Sequence, residues 1–272
     1  AGLARRRFPE LKIVSRAHGT DVYEDRHPLS YLPLRGRAVA TANQVVVVSE
    51  AAREHLQRRY PAHREKIQVA PLGTPDPGFN CPPSTDGVMR IVSCSRIVPM
   101  KRIDLLIDAL ALVHGELVET HLEWHHLGGG EEQRRVEAHA AASLPDGVGW
   151  SVSGVIPPER VLSFYRDHSV DLFVSVSASE GKPVSIMEAQ SVSIPVLATA
   201  VGGVPEMVTD SNGWLLPTNP TAEEVASGIL RALRDHPSKM RRSASRRAWE
   251  SHHDSRRVSA DFAHRLRNLL DE

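Results

Sequence analysis

The strongest chemical pattern in the chain is Ser179-Glu180-Gly181-Lys182-Pro183-Val184-Ser185-Ile186-Met187-Glu188-Ala189. Two carboxylates, Glu180 and Glu188, flank a Gly-Lys-Pro turn that opens a helix predicted over 183–191, with Pro183 suited to the first helical position. The amides around Val184 and Ser185 then point out of a positive helix end, where they can cradle phosphate or sugar oxygens. Glu180 falls at the mouth of that cradle, and Glu188 is expected about two turns down the helix. One acid can meet a sugar ring and the other a ribose diol. That is the outline of a nucleotide-sugar site.

A second group follows a strand predicted at 91–93. Ser95-Arg96-Ile97-Val98-Pro99-Met100-Lys101 places two cations at a strand's carboxyl end, where open α/β sheets bind ligands. Arg96 and Lys101 can neutralise a diphosphate, each charged hydrogen bond contributing about 1.5–3 kcal/mol. Leu127-Gly128-Gly129-Gly130-Glu131 also joins a strand to a helix, but Gln133 stands where a dinucleotide fingerprint needs its third glycine. Its glycines read as tight strand-to-helix packing. His18-Gly19-Thr20-Asp21 follows the apolar pair Ile13 and Val14, and His18 either reaches across a cleft to a ligand hydroxyl or a backbone carbonyl, or sits as a satisfied loop histidine. His125 and His126 lie within a strand pattern, one ring on each face, without the carboxylate or third histidine of a metal site. Gly202-Gly203-Val204-Pro205-Glu206 follows another strand; its glycines allow close backbone approach to a ligand or serve a purely structural turn, and Glu206 enters the next helix. No D-x-D occurs, so the cations and the helix end, rather than a metal, are expected to carry the diphosphate charge.

These loops require a scaffold of alternating strands and helices. Short apolar strands are predicted at 45–48, 91–93, 122–127, 172–176 and 195–198, with helices at 50–59, 103–113, 131–142, 158–166 and 183–191. Strands separated by helices imply parallel sheets. The run from Pro71 to Thr85, rich in proline and glycine, breaks the rhythm and marks an interdomain linker between an incomplete first α/β unit and a full second one. Thr221 and Glu224 form a capping box for a helix over 222–234, and a last helix is expected near 255–270. The arginine pairs at 241–242, 246–247 and 256–257 read as a solvated helix surface.

The 272 residues suffice for two modest domains with proper cores. Lysine plus arginine equals aspartate plus glutamate at 33 each, which removes any global attraction to nucleic acid. Cys81 and Cys94, the 2 cysteines, have no zinc or redox spacing and fit a reducing, cytoplasmic setting. No stretch approaches the ~20 apolar residues of a membrane span. Ala1 reads as an interior position of a longer protein.

In this order the segments resemble the retaining GT-B glycosyltransferases of the family 4 type. His-Gly-Thr-Asp-Val-Tyr at 18–23, Val-Val-Val-Val-Ser-Glu-Ala at 45–51, Pro-Leu-Gly-Thr at 71–74, Ser95 to Asp104, Glu180 to Pro195 and Ala198 to Val208 carry the likeness. The resemblance implies an α/β GT-B fold: two Rossmann-like domains with parallel sheets, the first incomplete. Its domains would be the end of an acceptor-side domain (1–75), a linker (76–88), a donor-binding domain (89–250) and a C-terminal helix packing back toward the first domain (251–272). About 100 residues of the family's first strands and acceptor loop would precede this chain. The implied activity is transfer of a sugar from a nucleotide-sugar donor to an acceptor hydroxyl, with retention and without a metal. The alternatives are a GT-B sugar-nucleotide epimerase and a non-catalytic nucleotide-sugar binding fragment.

By the resemblance Arg96 and Lys101 bind the donor diphosphate and Glu188 the ribose hydroxyls. Glu180, with the stretch Gly181, Lys182, Pro183, Val184 and Ser185, holds donor sugar and phosphate, and His18 approaches the transferred sugar. Glu180 and His18 are the catalytic candidates. No cofactor is implied beyond a UDP-, GDP- or ADP-sugar as substrate. The acceptor would be a sugar, a lipid-linked sugar or another hydroxyl compound. A peripheral contact with the inner membrane face is left open. Two departures concern small residues: Ser193 and Ser95 stand where the family usually has glycine.

Overall fold

The structure, a computed structural model, describes residues 7–8, 10–24, 27, 29–117, 121–235 and 239–271. Residue 1 and the last residue of the 251–272 segment lie outside it.

Two parallel sheets organise the chain. The first has 3 strands in the order β1 (Val14–Ala17), β2 (Gln44–Val47), β3 (Ile67–Val69). The second has 6 strands in the order β6 (Val148–Val152), β5 (His121–Leu127), β4 (Val88–Cys94), β7 (Leu172–Ser175), β8 (Val196–Thr199), β9 (Gly213–Leu216). Every pairing among these strands is parallel, and an isolated antiparallel bridge joins Gly128 and Gly154 just beyond β5 and β6. From β4 the chain builds outward through β5 and β6, then returns and builds the other way through β7, β8 and β9. The reversal lies between β4 and β7, where an open α/β sheet leaves a crevice at its carboxyl edge.

The strands read from sequence are interior ones: β2, β4, β5, β7 and β8, each flanked on both sides and rich in branched residues. Those not read are β3, β6 and β9, edge strands with one neighbour each, and β1, of which only Ile13 and Val14 stood out, is likewise an edge. An edge strand has less need of a continuous apolar run, as Gly149 and Ser151 in β6 show. Glu50–Arg59 forms as predicted, with Ser49 Oγ accepting from the Ala52 amide, and so does Ala222–Arg234 with its Thr221–Glu224 capping box. Ile103–Glu116 lays Leu106, Ile107, Leu110 and Val113 against Val225 and Ile229 on one face of the large sheet. On the opposite face Phe173, Ile186, Val196 and Trp249 build a second core.

The segment 71–85 forms no helix or extended strand run, yet it is stitched along the second unit. Trp249 Nε1 donates to Thr74 Oγ1 at 2.7 Å, Cys81 N to the Val192 carbonyl at 2.9 Å, and Ser84 N to Asp171 Oδ1 at 2.8 Å. The helix Lys239–His252, beyond the sequence reading, supplies most of the remaining stitches. Its arginines correct the expectation of a solvated surface. Arg242, 8% exposed, donates to the Val170 and Cys81 carbonyls; Arg246 pairs with Asp76 at 2.8 Å; Arg241 lies 4.2 Å over the Trp214 ring. Arg247, Arg256 and Arg257 remain exposed. Ser193 adopts φ 68°, a left-handed conformation costing about 1 kcal/mol or more for a non-glycine residue. Its hydroxyl offsets part of that cost by donating to Asn80 Oδ1 at 2.7 Å.

The last helix, Ser255–Asp271, leaves the second unit and reaches the first: Arg265 donates to the Val69 carbonyl at 2.6 Å, and Arg16 lies 5.2 Å over the Phe262 ring. Among the described residues no helix is long and apolar enough to cross a membrane.

Candidate functional site

At the reversal between β4 and β7 lies a cleft of about 1000 Å³. The loop after β4 and the loop after β7 form two of its walls. Arg96, Lys101, Glu180, Pro183, Val184, Ser185 and Glu188 all line it, so most of the sequence-selected side chains converge on one space. The helix runs from Val184 to Ser191 with Pro183 as its N-cap, and no side chain caps its first turn. A proline cap has no side-chain acceptor to offer, so the amides of Val184 and Ser185 stay available at the positive end of the helix. Glu188 sits about one turn below the tip, not two, because the helix begins at Val184.

The turn Pro99–Lys101 is fixed by a residue the sequence reading passed over. Arg102 takes φ 51° and donates from Nε to the Val176 carbonyl at 2.6 Å and from Nη2 to the Ser177 carbonyl at 3.0 Å. Ala178 N donates to the Met100 carbonyl at 2.8 Å. Together these bonds tie the Lys101 turn to the end of β7. Lys101 Nζ then forms an ion pair with Glu180, whose side chain is 11% exposed. Arg96 is far more open, with 75% of its side chain exposed and a 3.5 Å contact to Glu131 as its one ion pair among the described residues. One cation is therefore pre-placed and the other stands open at the rim.

Glu188 is electrostatically distinct. Burial pushes its carboxyl up to about 7, and among the described residues it has no ion-pair partner. Cys94 lies in the same cleft, and burial first, then Glu188, raises its thiol to about 12, so it stays protonated and inert.

Three predicted site residues lie outside the cleft lining. Lys182, with 6% of its side chain exposed, turns to the opposite side and meets Glu206 at 3.4 Å. It lines a separate cavity of about 400 Å³ beside the last helix. Gly181 faces the first unit, where an added Cβ would lie 3.2 Å from Gly19 Cα. His18 is exposed and caps the one-turn helix Gly19–Val22, its amide donating to Asp21 Oδ2 at 2.9 Å. Its near neighbour Thr20 is the residue of this turn that lines the cleft.

The glycine motifs serve the loops rather than a ligand directly. Gly202 has φ 54°, and a Cβ there would lie 1.8 Å from the Glu180 carbonyl. Gly203 donates its amide to the Gly181 carbonyl at 2.9 Å. This pair is the bed on which the Glu180–Gly181 backbone rests. Glu206 ends a 3-10 turn and crosses to the first unit, accepting from the Ala51 amide at 3.1 Å. Gly128, Gly129 and Gly130 pack against Ser95, Ile97 and Val155, and they also line the cleft. Val155, Ile156, Pro158 and Val161 supply an apolar wall that sequence reasoning missed. Its signal in the sequence was the apolar pair Val155-Ile156 directly ahead of Pro157 and Pro158. Among the described residues no group of three or more His, Cys, Asp or Glu is arranged to hold a metal ion.

Comparison with known proteins agrees with this architecture. The family model described as glycosyl transferases group 1 matches residues 83–250, and that described as glycosyltransferase family 4 matches residues 1–76. The chain is 29% identical over 232 residues to the putative colanic acid biosynthesis glycosyltransferase WcaL of Escherichia coli, covering 80% of this chain and 56% of that protein. It is 26% identical over 244 residues to the amylovoran biosynthesis glycosyltransferase AmsK of Erwinia amylovora, covering 85% and 58%. The chain thus spans somewhat over half the length of these relatives. Among solved structures, Anabaena Alr3699/HepE in complex with UDP and glucose superposes with a TM-score of 0.76 at 19% identity, over 97% of this chain and 74% of that one. The pneumococcal O-GlcNAc transferase GtfA in complex with UDP and GlcNAc gives 0.73 at 17%, over 100% and 55%. These likenesses establish the GT-B fold.

Proposed function

Because this chain belongs to the group 1 glycosyltransferases, we propose that its cleft binds a nucleotide-sugar and that the protein of which it is part transfers the sugar to an acceptor hydroxyl. The observation that carries the reading is the convergence of Arg96, Lys101 and the uncapped helix tip at Val184 and Ser185 on one cleft with Glu188 beside them. Two cations and a helix end supply the charge a diphosphate needs, and a carboxylate without an ion-pair partner suits a ribose diol.

In this scheme Lys101 exchanges part of its contact with Glu180 for a phosphate oxygen, and Arg96 folds in from the rim. Glu180, released from full pairing, accepts hydrogen bonds from the donor sugar's hydroxyls. The acceptor attacks on the same face from which the diphosphate departs, and a leaving phosphate oxygen takes the acceptor's proton. The anomeric carbon–oxygen bond to phosphate breaks as the bond to the acceptor oxygen forms, so configuration is retained without a protein nucleophile. The protein contributes orientation and stabilisation of the departing charge. Thr20 brings the first unit to the cleft wall, with His18 in the same turn. The relatives named above belong to colanic acid and amylovoran biosynthesis, which makes sugar acceptors the first to try, and UDP in the solved structures makes UDP-sugars the first donors. Free cysteines at 81 and 94 fit a cytoplasmic setting.

A thermal-shift panel of UDP-, GDP- and ADP-sugars tests the reading, since a ligand bound only by the folded state raises the melting temperature. One class should shift it by several degrees at millimolar concentration; no shift with any of them removes the donor assignment. Turnover by a longer chain should survive EDTA and yield the donor's own anomer by NMR; an inverted product or complete loss with EDTA refutes those parts of the scheme.

A further inference from the structure

A chain of buried polar groups runs beneath the loop that carries Arg96. Trp124 and His126 are both 0% exposed and Ser93 is 3% exposed, an unusual collection for the middle of a parallel sheet. Trp124 Nε1 can only donate, and it meets Ser93 Oγ at 3.0 Å. Ser93 Oγ keeps a second lone pair, so the direction of its 2.8 Å contact with His126 Nδ1 is set from the other end of the chain. Burial lowers His126 to about 4, so the ring is neutral and carries one hydrogen. Nε2 faces the Ser95 carbonyl at 3.1 Å, which can only accept and so fixes the hydrogen on Nε2, leaving Nδ1 to take the Ser93 proton. The indole at one end can only donate and the carbonyl at the other can only accept, and with a neutral ring between them the direction of every hydrogen bond is fixed.

The receiving carbonyl belongs to the residue before Arg96. Gly128 makes room for it: a Cβ there would lie 2.0 Å from the Ser95 oxygen. Ser95 N donates to the Leu127 carbonyl at 3.2 Å, and Ile97 N to the Gly129 carbonyl at 3.0 Å. The peptide between Ser95 and Arg96 is thus the point at which a side chain, rather than neighbouring backbone, sets the loop's orientation. We propose that His126 is a positioning residue for the diphosphate site, holding the Ser95 carbonyl so that the following residue, Arg96, emerges toward the cleft. This rests on the donor-site reading above and adds to it a part that does not touch the ligand. The Arg96 carbonyl accepts from Ser95 Oγ at 3.1 Å and from Val98 N at 3.2 Å, but among the described residues the exposed side chain has one acidic contact, Glu131 at 3.5 Å. His125, on the opposite face of the strand, bonds Ser151 at 2.8 Å and takes no part.

The test compares UDP with uridine by calorimetry, because only the former carries the diphosphate. Wild-type protein should bind UDP more tightly, and the ratio of the two affinities reports the diphosphate site alone. In His126→Phe that ratio should fall about tenfold, the value of one charged hydrogen bond lost or misdirected, while uridine affinity stays within about twofold. Should the Phe variant fail to fold, two polar replacements carry the test. His126→Gln can put a donor near the position of Nε2 and should keep the ratio; His126→Asn reaches only the Nδ1 position and should lose it. An unchanged ratio in Phe or Asn, or equal losses for UDP and uridine, overturns the proposal while leaving the donor site intact. A wild-type ratio near one overturns the donor site itself and the proposal with it.

Discussion

If Glu188 meets the donor's ribose, binding must expel a proton near neutral pH. Its carboxyl is raised to about 7 by burial, whereas hydrogen bonds from two ribose hydroxyls favour the charged form and return it toward the ordinary value of about 4.3. The sign follows directly: the free protein holds the proton up to about pH 7 and the complex does not, so affinity rises with pH. Taking those two values, apparent affinity should be about tenfold tighter at pH 8 than at pH 6, with about half a proton released at pH 7 and about a tenth at pH 8. A UDP-sugar is a suitable probe because its diphosphate has no group titrating in this window. Calorimetry in buffers of different ionisation enthalpy measures the proton directly. Glu188→Gln should bind more weakly and lose both the pH slope and the proton. Wild-type affinity independent of pH, or proton release that persists in the Gln variant, refutes the ribose assignment.

Three further outcomes follow from the geometry. Lys101→Ala should weaken UDP binding about tenfold or more, since a charged hydrogen bond contributes about 1.5–3 kcal/mol; unchanged calorimetric affinity would remove Lys101 from the diphosphate site. Gly202→Ala would place a Cβ 1.8 Å from the Glu180 carbonyl at a φ of 54°, so it should cost more than about 2 kcal/mol of stability and weaken donor binding together. A stable variant with full binding would show that this bed does not set Glu180. Trp249→Phe keeps the ring in its core but removes the bond to Thr74 Oγ1; urea unfolding should show a loss of about 1–3 kcal/mol, because a buried hydroxyl is left unpaired, and no loss would mean the segment 71–85 is held without it.

What was legible in the sequence was local. Glu180, Pro183, Val184, Ser185 and Glu188 could be placed on one loop and helix because they follow one another in the chain, and Arg96 and Lys101 because they follow a strong interior strand. What was hidden depended on distant partners. Lys182 belongs to the same motif, but Glu206, which draws it away from the cleft, comes from another loop. Arg242 and Arg246 read as solvated until Cys81 and Asp76, more than a hundred positions earlier, were brought under them. The edge strands β3, β6 and β9 were lost because one-sided pairing leaves a weak apolar signal. Ser193 and Arg102 show a third limit: left-handed backbone is readable at a glycine but invisible when another residue is forced into it.

The chain crosses between its two sheets at residues 70–74 and again after His253, and the two crossings are laced together. Thr74 N donates to the His253 carbonyl at 2.9 Å, Ser255 N to the Thr74 carbonyl at 3.0 Å, and Gly73 admits them at a distance no Cβ would allow. Twin crossings pinned side by side behave as a hinge pin: they permit a swing but resist sliding. Displacement about such a pin grows with distance from it, so Gly73 and His253 stay nearly still while the lips of the cleft travel furthest. A rotation that widens the cleft about this pin must break the Glu206–Ala51 hydrogen bond and part Gly181 from Gly19.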